Sequence, residues 1–169
     1  MKKSYGIALA LTCGLVPTIK AQNLDIANAE SGTIGEYGLD GSTVNAALIS
    51  GLDGPSDILI SGNDMFVVNQ SGGTIGEYTL SGQTINADLI SELVRPWGIA
   101  ISGNDLFVVN APSTDTGYIG EYTTSGATVN ADLISGLDDP EGIAIVPEPS
   151  TGALAGFGAV ALWLWCRRK

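Results

Sequence analysis

Ile75-Gly76-Glu77-Tyr78, followed by Thr84-Ile85-Asn86-Ala87-Asp88-Leu89-Ile90, is the middle copy of a unit that the chain spells three times. The first copy reads Ile34-Gly35-Glu36-Tyr37 and then Thr43-Val44-Asn45-Ala46-Ala47-Leu48-Ile49. The third reads Ile119-Gly120-Glu121-Tyr122 and then Thr128-Val129-Asn130-Ala131-Asp132-Leu133-Ile134. Successive copies stand 41 and 44 residues apart, the longer step holding an insertion around Ser113 to Gly117. A proline follows each copy (Pro55, Pro96, Pro140) and leads into an apolar run such as Gly98-Ile99-Ala100-Ile101. A turn, Ser61-Gly62-Asn63-Asp64 or Ser102-Gly103-Asn104-Asp105, then introduces Met65-Phe66-Val67-Val68-Asn69 or Leu106-Phe107-Val108-Val109-Asn110.

These runs of four to seven residues are rich in Val, Ile, Phe and Tyr, and Gly, Asn, Asp and Ser interrupt them too often for helices. Each unit therefore predicts four short strands, and four strands in a period of about 40 residues is the signature of a β-propeller blade. Apolar runs without clean alternation suit sheets covered on both faces by neighbouring blades. The order proline, Gly-Ile-Ala-Ile, Asn-Asp-Leu-Phe-Val-Val-Asn, Ile-Gly-Glu-Tyr resembles the NHL-type and gluconolactonase-like propeller repeats. The resemblance spans the whole middle of the chain and implies an all-β fold of propeller-like four-stranded blades. It departs where that family often has an aspartate, at Asn69 and Asn110.

Counting strands raises a question of closure. The middle opens with Leu24-Asp25-Ile26-Ala27-Asn28, which matches Met65 to Asn69, and ends with a lone Gly142-Ile143-Ala144-Ile145. That predicts twelve strands, or three blades if the last strand completes the first blade. Closed propellers use about four to eight blades. Three predict an open arc with exposed blade faces, or association, for example two chains pooling six blades.

The flanks carry an address. Val146-Pro147-Glu148-Pro149 is followed by an apolar segment from Thr151 to Cys166 and a basic end, Arg167-Arg168-Lys169. This order resembles the PEP-CTERM sorting signal of Gram-negative bacteria that make extracellular polysaccharide, a motif also associated with the C-terminal domain of ice-binding proteins. The resemblance implies that residues 147–169 hold the protein in the inner membrane through a transmembrane helix until an exosortase cuts near the Pro-Glu-Pro. The protein would then reach the cell envelope or the extracellular, biofilm matrix. Physically, the uncharged run is slightly short of a comfortable span, and the three terminal cations keep the tail end inside. A plain membrane anchor shares that layout but does not need Pro147-Glu148-Pro149. At the other end, Lys2-Lys3, the apolar stretch Tyr5 to Val16 and Ile19-Lys20-Ala21 predict a signal peptide over 1–21, against the alternative of a buried N-terminal helix. The expected domain is then 22–146.

All eighteen acidic residues fall between Gln22 and Pro149, where Arg95 is the one cation, leaving that region a formal charge of −17. Such a surface disfavours nucleic acid and anionic lipid; it attracts divalent cations and repels anionic polysaccharide unless a cation bridges the two. Both cysteines, Cys13 and Cys166, lie in the flanks, and the chain has no histidine. Disulfides, zinc sites with nitrogen or sulfur ligands, and Ser-His-Asp or Cys-His catalysis are thereby excluded from the middle.

The candidate ligand-binding residues are the repeated pairs Glu36/Tyr37, Glu77/Tyr78 and Glu121/Tyr122, each an aromatic platform beside a carboxylate. The competing reading packs Tyr between blades and leaves Glu at the solvent edge. Asn45, Asn86 and Asn130, like Asn28, Asn69 and Asn110, suit turn and strand-end hydrogen bonds. Calcium is the conceivable cofactor, through Asp138, Asp139 and Glu141 or Asp53 and Asp57, although no calcium-loop motif appears. No catalytic residues and no resident metal are expected. The function expected is a structural, adhesive or binding scaffold associated with exopolysaccharide. The alternative is a metal-dependent lactonase-like hydrolase, for which near-identical repeats offer no asymmetric ligand set. Ice binding would favour a flat Thr-rich array, which the middle lacks.

Overall fold

The computed structural model describes residues 22–113 and 116–147. The predicted signal peptide over 1–21 and the apolar tail lie outside the described residues. No helix among the described residues is long and apolar enough to cross a membrane.

The described residues are all β, with eleven strands in three antiparallel sheets. β1 (Asn23–Asn28), β2 (Thr33–Gly38) and β3 (Thr43–Ser50) form a three-stranded sheet. β4 (Pro55–Ser61), β5 (Asp64–Asn69), β6 (Thr74–Thr79) and β7 (Thr84–Ile90) form a four-stranded sheet in sequence order. β8 (Pro96–Ser102), β9 (Asp105–Ser113), β10 (Thr116–Thr123) and β11 (Thr128–Leu137) repeat that plan. These are propeller-like blades, and they do not close into a ring. Pro55 and Pro96 open the innermost strands β4 and β8, at the first position of a strand, where a missing N–H is tolerated. Each inner hairpin turns through two residues between paired ends, Ser61↔Asp64 and Ser102↔Asp105, with Gly62 and Gly103 both at φ 63. Glycine takes that conformation without strain.

The central sheet is buried on both faces. Met65, Val67 and Tyr78 pack with Ile34 and Ile49 of the first sheet. Phe66, Val68, Ile75 and Ile90 pack with Leu106, Val108 and Tyr122 of the third. Strand β5 alternates its side chains between these two cores, which is why its sequence is apolar at successive positions rather than at every second one. Near the axis, β4 packs against β1 on one side and against β8 on the other. Ser56 Oγ donates to the Trp97 carbonyl at 3.0 Å, and Ile99 N donates to Asp57 Oδ2 at 3.0 Å.

The predicted twelfth strand is not formed. Gly142-Ile143-Ala144-Ile145 is without strand pairing, and it does not complete the first sheet. Pro140 sits on Gly117, where an added Cβ would overlap its ring, and a Cβ on Gly98 would stand 2.7 Å from the Glu141 carbonyl oxygen. The segment therefore lies on β8, in the place of a fourth innermost strand, with no second strand beside it to satisfy its backbone.

Candidate functional site

The three Glu-Tyr pairs occupy the third strand position of each blade, and the register makes their surroundings comparable. Glu36, Glu77 and Glu121 stand opposite Asn45, Asn86 and Asn130 on the outer side. On the inner side they face Asp25, Phe66 and Phe107. The tyrosines answer to their own strand. Gly35, Gly76 and Gly120 precede Tyr37, Tyr78 and Tyr122 by two residues, so Gly and Tyr share a face. A Cβ on any of these glycines would come within 2.7–2.8 Å of the nearest ring carbon. The ring thus lies flat over the glycine and fills the space a side chain would have taken. Tyr78 and Tyr122 are buried, and burial raises both phenols above their ordinary value, helped by Asp88 and Tyr118 respectively.

The carboxylates differ from blade to blade. Glu36 accepts a hydrogen bond from Asn23 Nδ2 at 2.6 Å. Burial, and then the charge of Asp64, pushes Glu77 above the usual carboxylate range. Asp25, in the place of Phe66 and Phe107, is raised by burial and then by the facing Glu36. Its Oδ1 is buried without a hydrogen-bond partner. Among the described residues the three pairs stand on three separate sheets.

The repeated asparagines divide into two sets. Asn45, Asn86 and Asn130 each accept a bond from the backbone N–H two residues on, at 3.1–3.2 Å. They stabilise the register shifts that bend each outer strand. Asn28 and Asn69 donate to Thr33 and Thr74 at 3.3 and 3.2 Å, and Asn110 donates to the Val108 carbonyl at 3.2 Å. Asn69 and Asn110 are buried, and their Oδ1 atoms have no partner. A buried carbonyl left unpaired in this way is costly, by roughly 1–3 kcal/mol.

Sequence patterns alone gave no sign of the cleft at Asn69. It measures about 190 Å³ and is lined by Asp53, Asn69, Thr74, Tyr78 and Asp88 with Gly51 and Leu52. Its walls come from the loop after β3 and from three strands of the second sheet, so residues about forty apart in sequence meet there. The corresponding place in the third sheet holds a larger opening of about 370 Å³, with Tyr118, Ala131, Asp132 and Ser135 in its wall. Burial, and then Asp132, raise the Tyr118 phenol, while a bond with the Val94 backbone opposes them. Asp88 and Asp132, equivalent in the repeat, thus each line an opening, but the second has neither Asn110 nor Tyr122 in its wall. The cleft at Asn69 offers the carboxylates of Asp53 and Asp88 and the Thr74 hydroxyl, while the Asn69 amide oxygen and the Tyr78 ring are buried in its wall.

The residues conceivable as calcium ligands are not brought together. Asp138, Asp139 and Glu141 are exposed, and Asp57 spends its carboxylate on the backbone N–H groups of Ile58 and Ile99. Among the described residues no group of three or more His, Cys, Asp and Glu side chains could hold a metal ion.

Residues 146–169 match the PEP-CTERM protein-sorting motif. That motif marks an exported protein, processed by an exosortase and bound for the cell envelope or the extracellular space. No curated protein matches the chain in sequence. The fold is similar to the streptogramin B lyase structure, with a TM-score of 0.55 and 18% identity over 72% of this chain and 40% of that one. It is also similar to the computationally designed Ika4 protein, with a TM-score of 0.51 and 16% identity over 74% of each chain. The chain thus spans 40% of the length of the lyase it resembles. At these identities the likeness shows a propeller-like fold alone.

Proposed function

We propose that the chain is a non-catalytic surface scaffold whose blades bind extracellular polysaccharide through the clefts at Asp53/Asp88 and Asp132. In this reading residues 1–21 are a cleaved signal peptide and 22–146 are the binding arc. Residues 147–169 anchor the protein in the inner membrane until the exosortase acts. The observation that carries it is the cleft at Asn69, where the carboxylates of Asp53 and Asp88 meet beside Thr74 on a sorted, exported fold. Sugar hydroxyls are donors that these carboxylates accept from. The formal charge of −17 between Gln22 and Pro149 favours neutral glycans, or acidic ones joined through a bridging divalent cation. The absence of histidine from the chain and the near-identity of the repeats support a binding role over a hydrolytic one.

Co-sedimentation of the purified full chain with dextran, and with alginate in the presence and absence of calcium, tests the reading. Retention on dextran without calcium, weakened about tenfold by Asp53→Ala with Asp88→Ala, is the expected result; about tenfold is the loss of one charge-assisted hydrogen bond. A chain that stays in the supernatant with both polysaccharides, with and without calcium, overturns it.

A further inference from the structure

The two ends of the arc are unfinished in complementary ways. At the leading end, the sheet β1-β2-β3 lacks the innermost strand that β4 and β8 give to the other sheets, and among the described residues nothing pairs with the inner edge of β1. Its outward face is also bare. Leu24 is 45% and Ile26 43% exposed, whereas their counterparts Met65 and Val67 are at 0%. Gly41 meets nothing within 4 Å, while Gly82 and Gly126, at the same turn in the other blades, press on the carbonyls of Leu48 and Leu89 in the preceding sheet.

At the trailing end, Ile134 is 50% exposed, against 4% for Ile90 and 5% for Ile49 at the same position. Beyond it, Pro140-Glu141-Gly142-Ile143-Ala144-Ile145 repeats the pattern of Pro96-Trp97-Gly98-Ile99-Ala100-Ile101 and is left unpaired. Not every exposed apolar residue marks an end. Val44, Ile85 and Val129 are 51–55% exposed in all three blades, so they belong to the outer rim.

We propose that two copies of this chain close head to tail into a six-bladed ring, each donating Gly142–Ile145 as the missing innermost strand of the other's first sheet. The occupant follows from the strand itself: the absent element has the sequence of β4 and β8, and the spare segment has that sequence. Its own first sheet is out of reach, because the inner strands run β1, β4, β8 and then the segment, each packed on the one before. The copy number follows from arithmetic. One, two or three chains supply three, six or nine blades, and of these only six falls in the range of about four to eight that closes. A head-to-tail contact that closes after two copies leaves no free end.

The geometry inside the chain sets the register. Ile60 stands opposite Met65 and Ile58 opposite Val67, as Ile101 and Ile99 stand opposite Leu106 and Val108. Ile145 of one copy therefore faces Leu24 of the other, and Ile143 faces Ile26. Farther out, Gly41 would rest on the Leu133 carbonyl, as Gly82 rests on Leu48 and Gly126 on Leu89. The donated strand would also cover the opening of about 240 Å³ lined by Asp25, Ile26, Ser56 and Asp57.

Disulfide trapping in the full chain, kept in mild detergent, tests this. On a Cys13→Ser, Cys166→Ser background, a chain with Ile26→Cys is mixed with a chain carrying Ile143→Cys and oxidised. Directly opposed positions in an antiparallel pair lie within disulfide reach, so a covalent heterodimer is expected, while Asp25→Cys with Ile143→Cys, out of register, gives little. Absence of that cross-link, or a disulfide formed within one chain when both cysteines are on it, overturns the proposal. Light scattering on the unaltered chain is the independent arm. A protein mass twice the 17.3 kDa of the chain is expected, falling to a single chain with Ile143→Asp plus Ile145→Asp; a monomer before substitution overturns the proposal as well.

Discussion

Strands β1 and β5 hold the same place in successive blades, pair in the same register with β2 and β6, and end on the same asparagine, Asn28 and Asn69. Yet β5 is buried from Met65 to Asn69, while β1 keeps Asn23, Leu24 and Ile26 in solvent. Local sequence cannot account for this, since both strands are short and pair alike. The difference is what stands beside them: β5 has a sheet on each face and an inner strand at its edge, and β1 has a sheet on one face only. Burial in this fold is a property of the stack, not of the strand. Asp25, at the place of Phe66, does not share that exposure: its Oδ1 is buried without a partner, beside Ser56 and Asp57 of β4.

The largest expected effect comes from placing a charge at equivalent positions. Val67→Asp buries an unpaired carboxylate between two sheets and should cost about 3–5 kcal/mol, enough to unfold the arc in a urea titration followed by far-UV circular dichroism. In the single chain obtained with Ile143→Asp plus Ile145→Asp, Ile26→Asp, at the same place in β1, should leave the circular dichroism spectrum intact and shift the urea midpoint far less. Equal losses at the two sites would erase the contrast between the strands.

A smaller effect isolates contact between blades from backbone strain. Gly41 and Gly82 have φ of 82° and 81°, so an alanine suffers the same conformational penalty at each, roughly 1–2 kcal/mol. Only at Gly82 does the new Cβ also collide with the Leu48 carbonyl. In the single chain obtained with Ile143→Asp plus Ile145→Asp, Gly82→Ala should therefore lose about 1–3 kcal/mol more than Gly41→Ala in thermal unfolding.

The smallest effect is electrostatic. Asp25 is raised above its ordinary value by burial and by Glu36, so the folded state holds its proton more tightly than the unfolded state does. Stability from this group falls as pH rises from the unfolded value of 3.8 through the higher folded one. Asp25→Asn should thus raise the melting temperature at neutral pH by about 1–3 °C, with the gain vanishing as the pH drops below 3.8. A gain that persists in acid would mean that the charge is not its source.

Much of the architecture was legible because the repeat is spelled almost letter for letter. Ile75-Gly76-Glu77-Tyr78 and its two counterparts place the same strand in each blade, and the prolines at 55 and 96 open the innermost ones. The reading of Gly142–Ile145 as a strand went astray because its letters match β8, whereas a strand exists only with a partner along its backbone. At the site, the recurrence of the pair in every copy already favoured Tyr as a packing element, while the Gly–Tyr stacking within the strand came only with the structure. The cleft was not legible, since Asp53, Asn69 and Asp88 sit in different repeated elements and converge only through the stagger of one blade on the next. The nearest hint was Asp88 recurring as Asp132 while Ala47 stands in the first copy.

Every strand pairing among the described residues joins neighbours in sequence, so no sheet waits for a distant part of the chain. Contacts that local close quickly, and a stack of such units assembles one unit at a time along the chain. For a protein that must leave the cytoplasm, the second blade can be complete before the third has emerged. The last piece to arrive is the segment from Pro140 onward, immediately before the motif at which the chain is sorted. Folding of the arc thus finishes at the stretch of backbone that leads directly into the sorting motif.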